Sequence, residues 1–139
     1  MLILFGGGIA LAKAFVASGL SSTLGDLVSG IAGWPIVLMI AAICLAITFL
    51  TEMTSNTATT ALMMPILAAA ALAAGIEPAL LMVPAAMSAS CAFMLPVATA
   101  PNTIMFSTGR FTTQIMAREG LVLNLLGVVV ITTVCALLL

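Results

Sequence analysis

The chain has 139 residues, of which 64% are hydrophobic and 5% charged, with a net charge of −1 and a mean hydropathy of +1.41. A soluble domain carries about 25% charged residues, so this composition excludes a soluble globular protein, and the small, balanced charge excludes a nucleic-acid-binding surface. Histidine and tyrosine are absent, which removes most metal and general-base chemistry, and no HExxH or paired-aspartate pattern points to an enzyme. Cys44, Cys91 and Cys135 lie far apart in apolar runs. They match no CxxC or zinc spacing and read as free thiols within a membrane.

Taken in order, residues 2–20 read as a first span, with Gly6-Gly7-Gly8 as a surface for close helix approach and Lys13 placed to extend its amine to the interface. No basic leader and no small-residue cleavage site accompany the opening Leu2-Ile3-Leu4-Phe5 run, so it does not read as a signal peptide. It reads as a chain that starts within a membrane helix, as in a piece of a longer transporter. In residues 21–33, Leu24, Leu27, Val28 and Ile31 follow the i, i+3, i+4, i+7 template of an amphipathic helix, suited to the membrane surface; a surface loop is the competing reading. Trp34 suits the interface and Pro35 the first turn of a helix. The apolar run Pro35–Leu50 then reaches about 24 Å at about 1.5 Å per residue, short of a full span of about 20 residues.

Next comes Thr51-Glu52-Met53-Thr54-Ser55-Asn56-Thr57-Ala58-Thr59-Thr60, polar at eight of ten positions, followed by a second apolar arm from Ala61 to Ala74 and by Gly75. Glu77-Pro78 restarts a helix, and Ala79–Pro96 reads as a full-length apolar segment. It is interrupted at residues 98–103 and resumes at Ile104. Arg110, Gln114, Arg118 and Glu119 form the one charge-dense loop before a last span at residues 120–139. Two of the three basic residues, Arg110 and Arg118, share that loop, which places it on the cytoplasmic side; Lys13 mildly disagrees.

The chain thus carries two polar interruptions, residues 51–60 and 98–103. Unsatisfied backbone groups in lipid cost several kcal/mol each, so such breaks survive where they line a cavity or bind something. A helix that restarts there, at Asn56 or Thr57 and at about Thr103, presents unpaired N–H groups and about half a positive charge, an anion site without arginine. Freed carbonyls together with hydroxyl and amide oxygens suit a small hard cation such as Na⁺, and broken-helix transporters use this pairing near the bilayer midplane. On that ground Thr54, Ser55, Asn56, Thr57 and Thr99 are candidates to hold a cation and an anion side by side. Spacing alone leaves a second reading open, in which residues 51–60 are a water-exposed turn capped by its Ser/Thr/Asn run and Pro96 and Pro101 merely kink a helix. Glu52, the one acid at the tip, could tune cation binding or face water, and water is the expected reading.

Three stretches carry a family resemblance. Thr54-Ser55-Asn56-Thr57-Ala58-Thr59 with Met64-Pro65 resembles the Ser-Asn-Thr signature of the divalent anion:sodium symporters, the INDY-type dicarboxylate transporters. Ser90-Cys91-Ala92-Phe93-Met94-Leu95-Pro96-Val97-Ala98-Thr99-Ala100-Pro101-Asn102 resembles that family's second signature. Leu4-Phe5-Gly6-Gly7-Gly8-Ile9-Ala10-Leu11-Ala12-Lys13 is similar to the helix before its outer hairpin. The resemblance implies an all-α membrane protein, homodimeric when full length and built from two inverted repeats. This chain would supply the C-terminal repeat: a re-entrant hairpin at residues 34–75 with its tip at 51–57, a broken helix at 78–109, and the last span. It further implies that Ser55, Asn56 and Thr57 form the hairpin-tip signature, with Asn56 and Thr57 on a substrate carboxylate. Thr51, Thr54, Asn56 and Ala98 would hold one Na⁺, and Thr99 with the Ala100-Pro101 turn would close the far side. Ala100 departs from the frequent double proline after the threonine, which frees a backbone N–H and loosens the turn.

The resemblance therefore implies sodium-coupled symport of di- or tricarboxylates across the plasma or inner membrane, by an elevator motion, with Na⁺ as coupling ion and no other cofactor. The family's other Ser-Asn-Thr hairpin and its sodium site would lie in a missing N-terminal half. Transport or exchange of sulfate or another oxyanion, and a non-transporting membrane or channel subunit, are the alternatives.

Overall fold

A computed structural model describes residues 35–138, together with isolated positions between Gly6 and Asp26. The expected first span at 2–20 and surface helix at 21–33 therefore lie largely outside the described residues. Those described form five helices and no strand: α1 (Ile36–Met53), α2 (Asn56–Ala73), α3 (Ala79–Ser88), α4 (Ala100–Ser107) and α5 (Thr113–Leu138).

The helices α1 and α2, with 18 residues each, and α5, with 26, are long and apolar enough to cross a membrane. At about 1.5 Å per residue they reach about 27, 27 and 39 Å, against a hydrocarbon core of about 30 Å. Their faces agree with that setting. In α1 the residues Ile40, Cys44, Ile47, Thr48 and Thr51 recur at helical spacing and are buried, while Val37, Leu38, Leu45, Phe49 and Leu50 lie exposed on the other side. In α5 the buried stripe is Gly120, Asn124, Val128, Ile131, Thr132 and Cys135, and Leu121, Val122, Leu125, Leu126, Val129 and Val130 are exposed. An exterior of leucine and valine over an interior that includes Thr, Asn and Glu suits lipid as the surrounding solvent. The chain is a multi-pass membrane protein.

The helix boundaries follow from local chemistry. Pro35 precedes α1 with φ −52°, and its carbonyl accepts from Leu38 N at 2.8 Å and Met39 N at 3.3 Å. The end of α2 is a Schellman turn: Ile76 N donates to the Ala71 carbonyl at 2.9 Å and Gly75 N to that of Leu72 at 3.2 Å, with Gly75 at φ +68°, where a side chain would be strained. Ile76 also packs on the cluster that holds Ala71. The Thr112 hydroxyl accepts from Ile115 N at 3.3 Å and opens α5.

Three boundaries differ from the sequence-based expectation. The helix α1 runs through the polar stretch to Met53, so only Thr54 and Ser55 leave helical conformation there. The apolar segment 79–96 is helical only to Ser88, and α4 begins at Ala100, so the second interruption occupies residues 89–99 rather than 98–103. The helix α5 starts at Thr113, which makes Gln114, Arg118 and Glu119 helical rather than part of a loop.

Packing centres on the short helix α3. It lies against both α1 and α2, which touch each other little, while α5 packs along α1 and onto α3. Alanines make the close approach possible: Ala85 and Ala89 are fully buried with Ile47, flanked by Met63, Met64 and Leu67 of α2. Met39, Ala71 and Leu81 join the three helices at the other end. Ile40 and Cys44 meet Val128, Ile131 and Cys135 between α1 and α5. All three cysteines are free thiols, as their spacing suggests.

Candidate functional site at two helix restarts

The first restart is the two-residue gap between α1 and α2. Ser55 is extended (φ −89°, ψ 143°) and caps α2, its hydroxyl accepting from Ala58 N at 3.1 Å. Asn56 is therefore the first helical residue, one of the two positions expected. Thr54 donates to the Leu50 carbonyl at 3.0 Å, so the hydroxyl of the buried Thr59, in hydrogen-bond contact with it, acts as donor to Thr54.

Thr51 is fully buried at the end of α1. Its Oγ1 lies 2.8 Å from the Ala89 carbonyl and 2.9 Å from Asn56 Oδ1. A hydroxyl has a single proton, so three oxygens here share one hydrogen. Two arrangements resolve this. The Asn56 amide turns to offer its NH₂ to Thr51, an assignment fixed by the hydrogen-bond network rather than by atom positions, or a cation takes the place of the missing proton. Hydroxyl, amide and backbone carbonyl oxygens are the donor set a hard cation prefers.

The second restart is organised around Glu52. This side chain is 3% exposed, which corrects the expectation that it faces water. Its Oε1 accepts from Phe93 N at 2.7 Å, Met94 N at 2.9 Å and Asn124 Nδ2 at 2.8 Å, and its Oε2 from Leu95 N at 3.0 Å. Four N–H donors satisfy a carboxyl group whose burial without partners would be costly. These bonds keep α3 from resuming after Ser88: the backbone N–H groups of residues 93–95 are turned onto the carboxylate instead of continuing a helix. Downstream, Thr99 is extended (φ −141°, ψ 156°) and caps α4, accepting from Asn102 N at 3.3 Å. Asn102 Nδ2 donates to the Ala92 and Leu95 carbonyls at 2.9 and 3.0 Å, and Thr103 to that of Pro96 at 2.7 Å.

The sequence-derived candidates fall into two groups. Thr51, Thr54, Ser55, Asn56 and Thr57 gather at the first restart, with Thr51 buried, Asn56 half-buried, and Thr54, Ser55 and Thr57 exposed. Ala98, buried, sits with the half-buried Thr99 and the exposed Pro101 at the second. Among the described residues no hydrogen bond joins the two groups directly; the junction runs through the Thr51–Ala89 bond and through Glu52 and the 92–95 backbone. Sequence reasoning missed the roles of Glu52, Asn124 and Asn102. A usable signal existed for Glu52, since an ionisable residue inside an apolar membrane segment is a functional candidate by default.

A family model described as the sodium:sulfate symporter transmembrane region matches residues 1–138. Over 134 residues the chain is 50% identical to the sodium-dependent dicarboxylate transporter SdcS of Staphylococcus saprophyticus subsp. saprophyticus, a match that covers 96% of this chain and 26% of that protein. It is 47% identical to the SdcS of Staphylococcus aureus strain USA300, with the same coverage. The chain thus spans about a quarter of the length of the curated relatives it matches. By these matches the chain belongs to the divalent anion:sodium symporter family, whose members are membrane transporters rather than enzymes.

Proposed function

We propose that this chain forms one half of the ion and substrate site of a sodium-coupled symporter for di- or tricarboxylates of the succinate, malate, fumarate or citrate class. The observation that carries the reading is the cluster of Thr51 hydroxyl, Asn56 amide and Ala89 carbonyl, the donor set of a hard cation, which adjoins the N-terminus of α2. Na⁺ fits the oxygens of Thr51, Thr54 and Asn56, with the Ala98 carbonyl closing the shell from the second restart. A substrate carboxylate fits the N-terminal turn of α2 at Ser55, Asn56 and Thr57, with Thr99 and Pro101 facing it from the start of α4. Each helix start supplies partial positive charge and backbone N–H groups to the anion, and Na⁺ beside the carboxylate makes the two ligands bind better together than apart. This is the pairing that couples them.

In this reading α1 and α2 form a re-entrant hairpin, and α3, the 89–99 segment and α4 form one broken helix of an inverted repeat. The other repeat lies in the N-terminal part of the full-length protein, outside this chain, and the complete protein works in the plasma membrane as a homodimer with an elevator-like motion. The name of the matched family favours one second reading, in which sulfate is the anion, because helix N-termini bind sulfate and carboxylate alike. Uptake of labelled succinate by proteoliposomes carrying the full-length protein, with a sodium gradient imposed and removed, tests the assignment. Sodium-dependent, saturable uptake that unlabelled malate or fumarate competes and sulfate does not is the expected result; competition by sulfate alone moves the assignment to the second reading.

The 139-residue chain by itself is expected to show no sodium-dependent succinate uptake above protein-free liposomes, because its site faces an unfilled half. Uptake by the isolated chain would contradict the half-site proposal.

A further inference from the structure

We infer that Glu52 is a positioning residue for sodium, holding the Ala98–Thr99 side of the site in register with the Thr51–Asn56 side; this rests on the symporter reading proposed above. Among the described residues no salt bridge reaches Glu52, and its carboxylate is instead held by three consecutive backbone N–H groups and Asn124. A carboxylate that only needed stabilisation would be served as well by water at the protein surface. Buried here, it fixes the orientation of successive peptide planes.

The consequence passes across one peptide plane. The N–H of Phe93 and the carbonyl of Ala92 belong to the same planar trans unit and point in opposite directions. Glu52 takes that N–H at 2.7 Å, and Asn102 Nδ2 takes the carbonyl at 2.9 Å. The same NH₂ group spends its second proton on Leu95 at 3.0 Å, whose carbonyl also accepts from Ala98 N at 3.2 Å. Asn102 in turn donates its backbone N–H to the Thr99 cap. The 92–95 segment is thereby clamped, with Glu52 on its N–H side and Asn102 on its carbonyl side. Thr51 and Glu52 are consecutive in α1, so a single helix turn places both the first sodium oxygen and the anchor that locates the second half of the shell. Asn124 holds the clamp from α5.

The test uses the full-length protein in proteoliposomes, with succinate uptake read against sodium at saturating succinate and against succinate at saturating sodium. Glu52→Gln keeps one acceptor but turns an NH₂ toward a backbone N–H. It is expected to raise the half-saturating sodium concentration about tenfold while leaving the maximal rate within about twofold. A merely structural role would lower the amount of active protein, and so the maximal rate, without moving the sodium response. Asn102→Ala is expected to shift the sodium response in the same direction. The Glu52→Gln/Asn102→Ala double variant should be no worse than the more severe single, since both act on one relay.

An unshifted sodium response in Glu52→Gln, or single effects that multiply in the double variant, would overturn the inference. If Glu52→Gln yields no folded protein, Asn102→Ala decides alone, and an unshifted sodium response there overturns it. Wild-type protein without sodium-dependent uptake would overturn the proposed function and this inference with it, whereas sodium-dependent wild type beside an unshifted variant overturns this inference only.

Discussion

Asn56→Ala in the full-length protein is expected to lower sodium-dependent succinate uptake about a hundredfold, through the loss of interactions worth about 2–3 kcal/mol. Asn56 serves both ligands in the proposed site. Its amide oxygen stands 2.9 Å from Thr51 Oγ1, where the cation shell forms, and its position as first residue of α2 puts it at the partial positive charge offered to the anion. Alanine is a good helix former and leaves the Ser55 cap untouched, so α2 should persist in the variant. The loss is therefore expected in uptake, with a melting temperature in detergent close to wild type and with the sodium-induced rise in melting temperature abolished. Sodium-dependent uptake retained in Asn56→Ala would remove this residue from the site and with it the central contact between the cation and anion halves.

Residues that signal their own conformation were legible in the sequence. The Ser/Thr/Asn run reads as a cap followed by a helix start at Asn56 or Thr57 because a hydroxyl cap and an apolar run are local features, and α2 begins at the first of these. The lipid-facing character of α1 and α5 is equally local, written in leucine and valine. The second interruption was misplaced because its cause is remote. Nothing between Ala89 and Leu95 breaks a helix, and the apolar run continues to Pro96; the helix nevertheless ends at Ser88, and Glu52, some forty positions earlier, takes the N–H groups of residues 93–95 that would otherwise continue it. The water-facing expectation for Glu52 failed for the same reason. A lone acid beside a Ser/Thr/Asn run resembles a surface turn until its four donors, three from one backbone segment and one from α5, are brought together. The start of α5 was placed too late because Gln114, Arg118 and Glu119 read as a loop by polarity, although their exposed positions on the first turns of a helix satisfy them equally well.

The same remote contact makes Gly120 the second position of large effect, and here the expectation concerns folding alone. Gly120 is buried in α5 directly behind the segment that Glu52 holds. A Cβ there would collide with the Phe93 carbonyl oxygen and stand 2.6 Å from both Met94 Cα and Phe93 C, distances that real side chains do not adopt. All three atoms are backbone, and the N–H groups of Phe93 and Met94 are fixed on the Glu52 carboxylate, so the segment cannot withdraw without breaking charge-assisted bonds. Gly120→Ala is accordingly expected to lower the melting temperature despite alanine's better helix propensity, and Gly120→Val, which adds two methyl groups on the same path, to cost more than about 3 kcal/mol and to leave no monodisperse protein after detergent extraction. Gly127 supplies the comparison on the same helix. Its added Cβ would meet only Cys91 Sγ at 3.5 Å and Cys91 Cβ at 3.9 Å, ordinary contacts with a side chain, so Gly127→Ala should melt at or above the wild-type temperature. Thermal unfolding followed by size-exclusion fluorescence separates the two positions. A Gly120→Val protein that extracts and melts like wild type would show that the 93–94 backbone does not lie against α5, and the Asn124–Glu52 contact one helical turn further along would then lose its geometric basis as well.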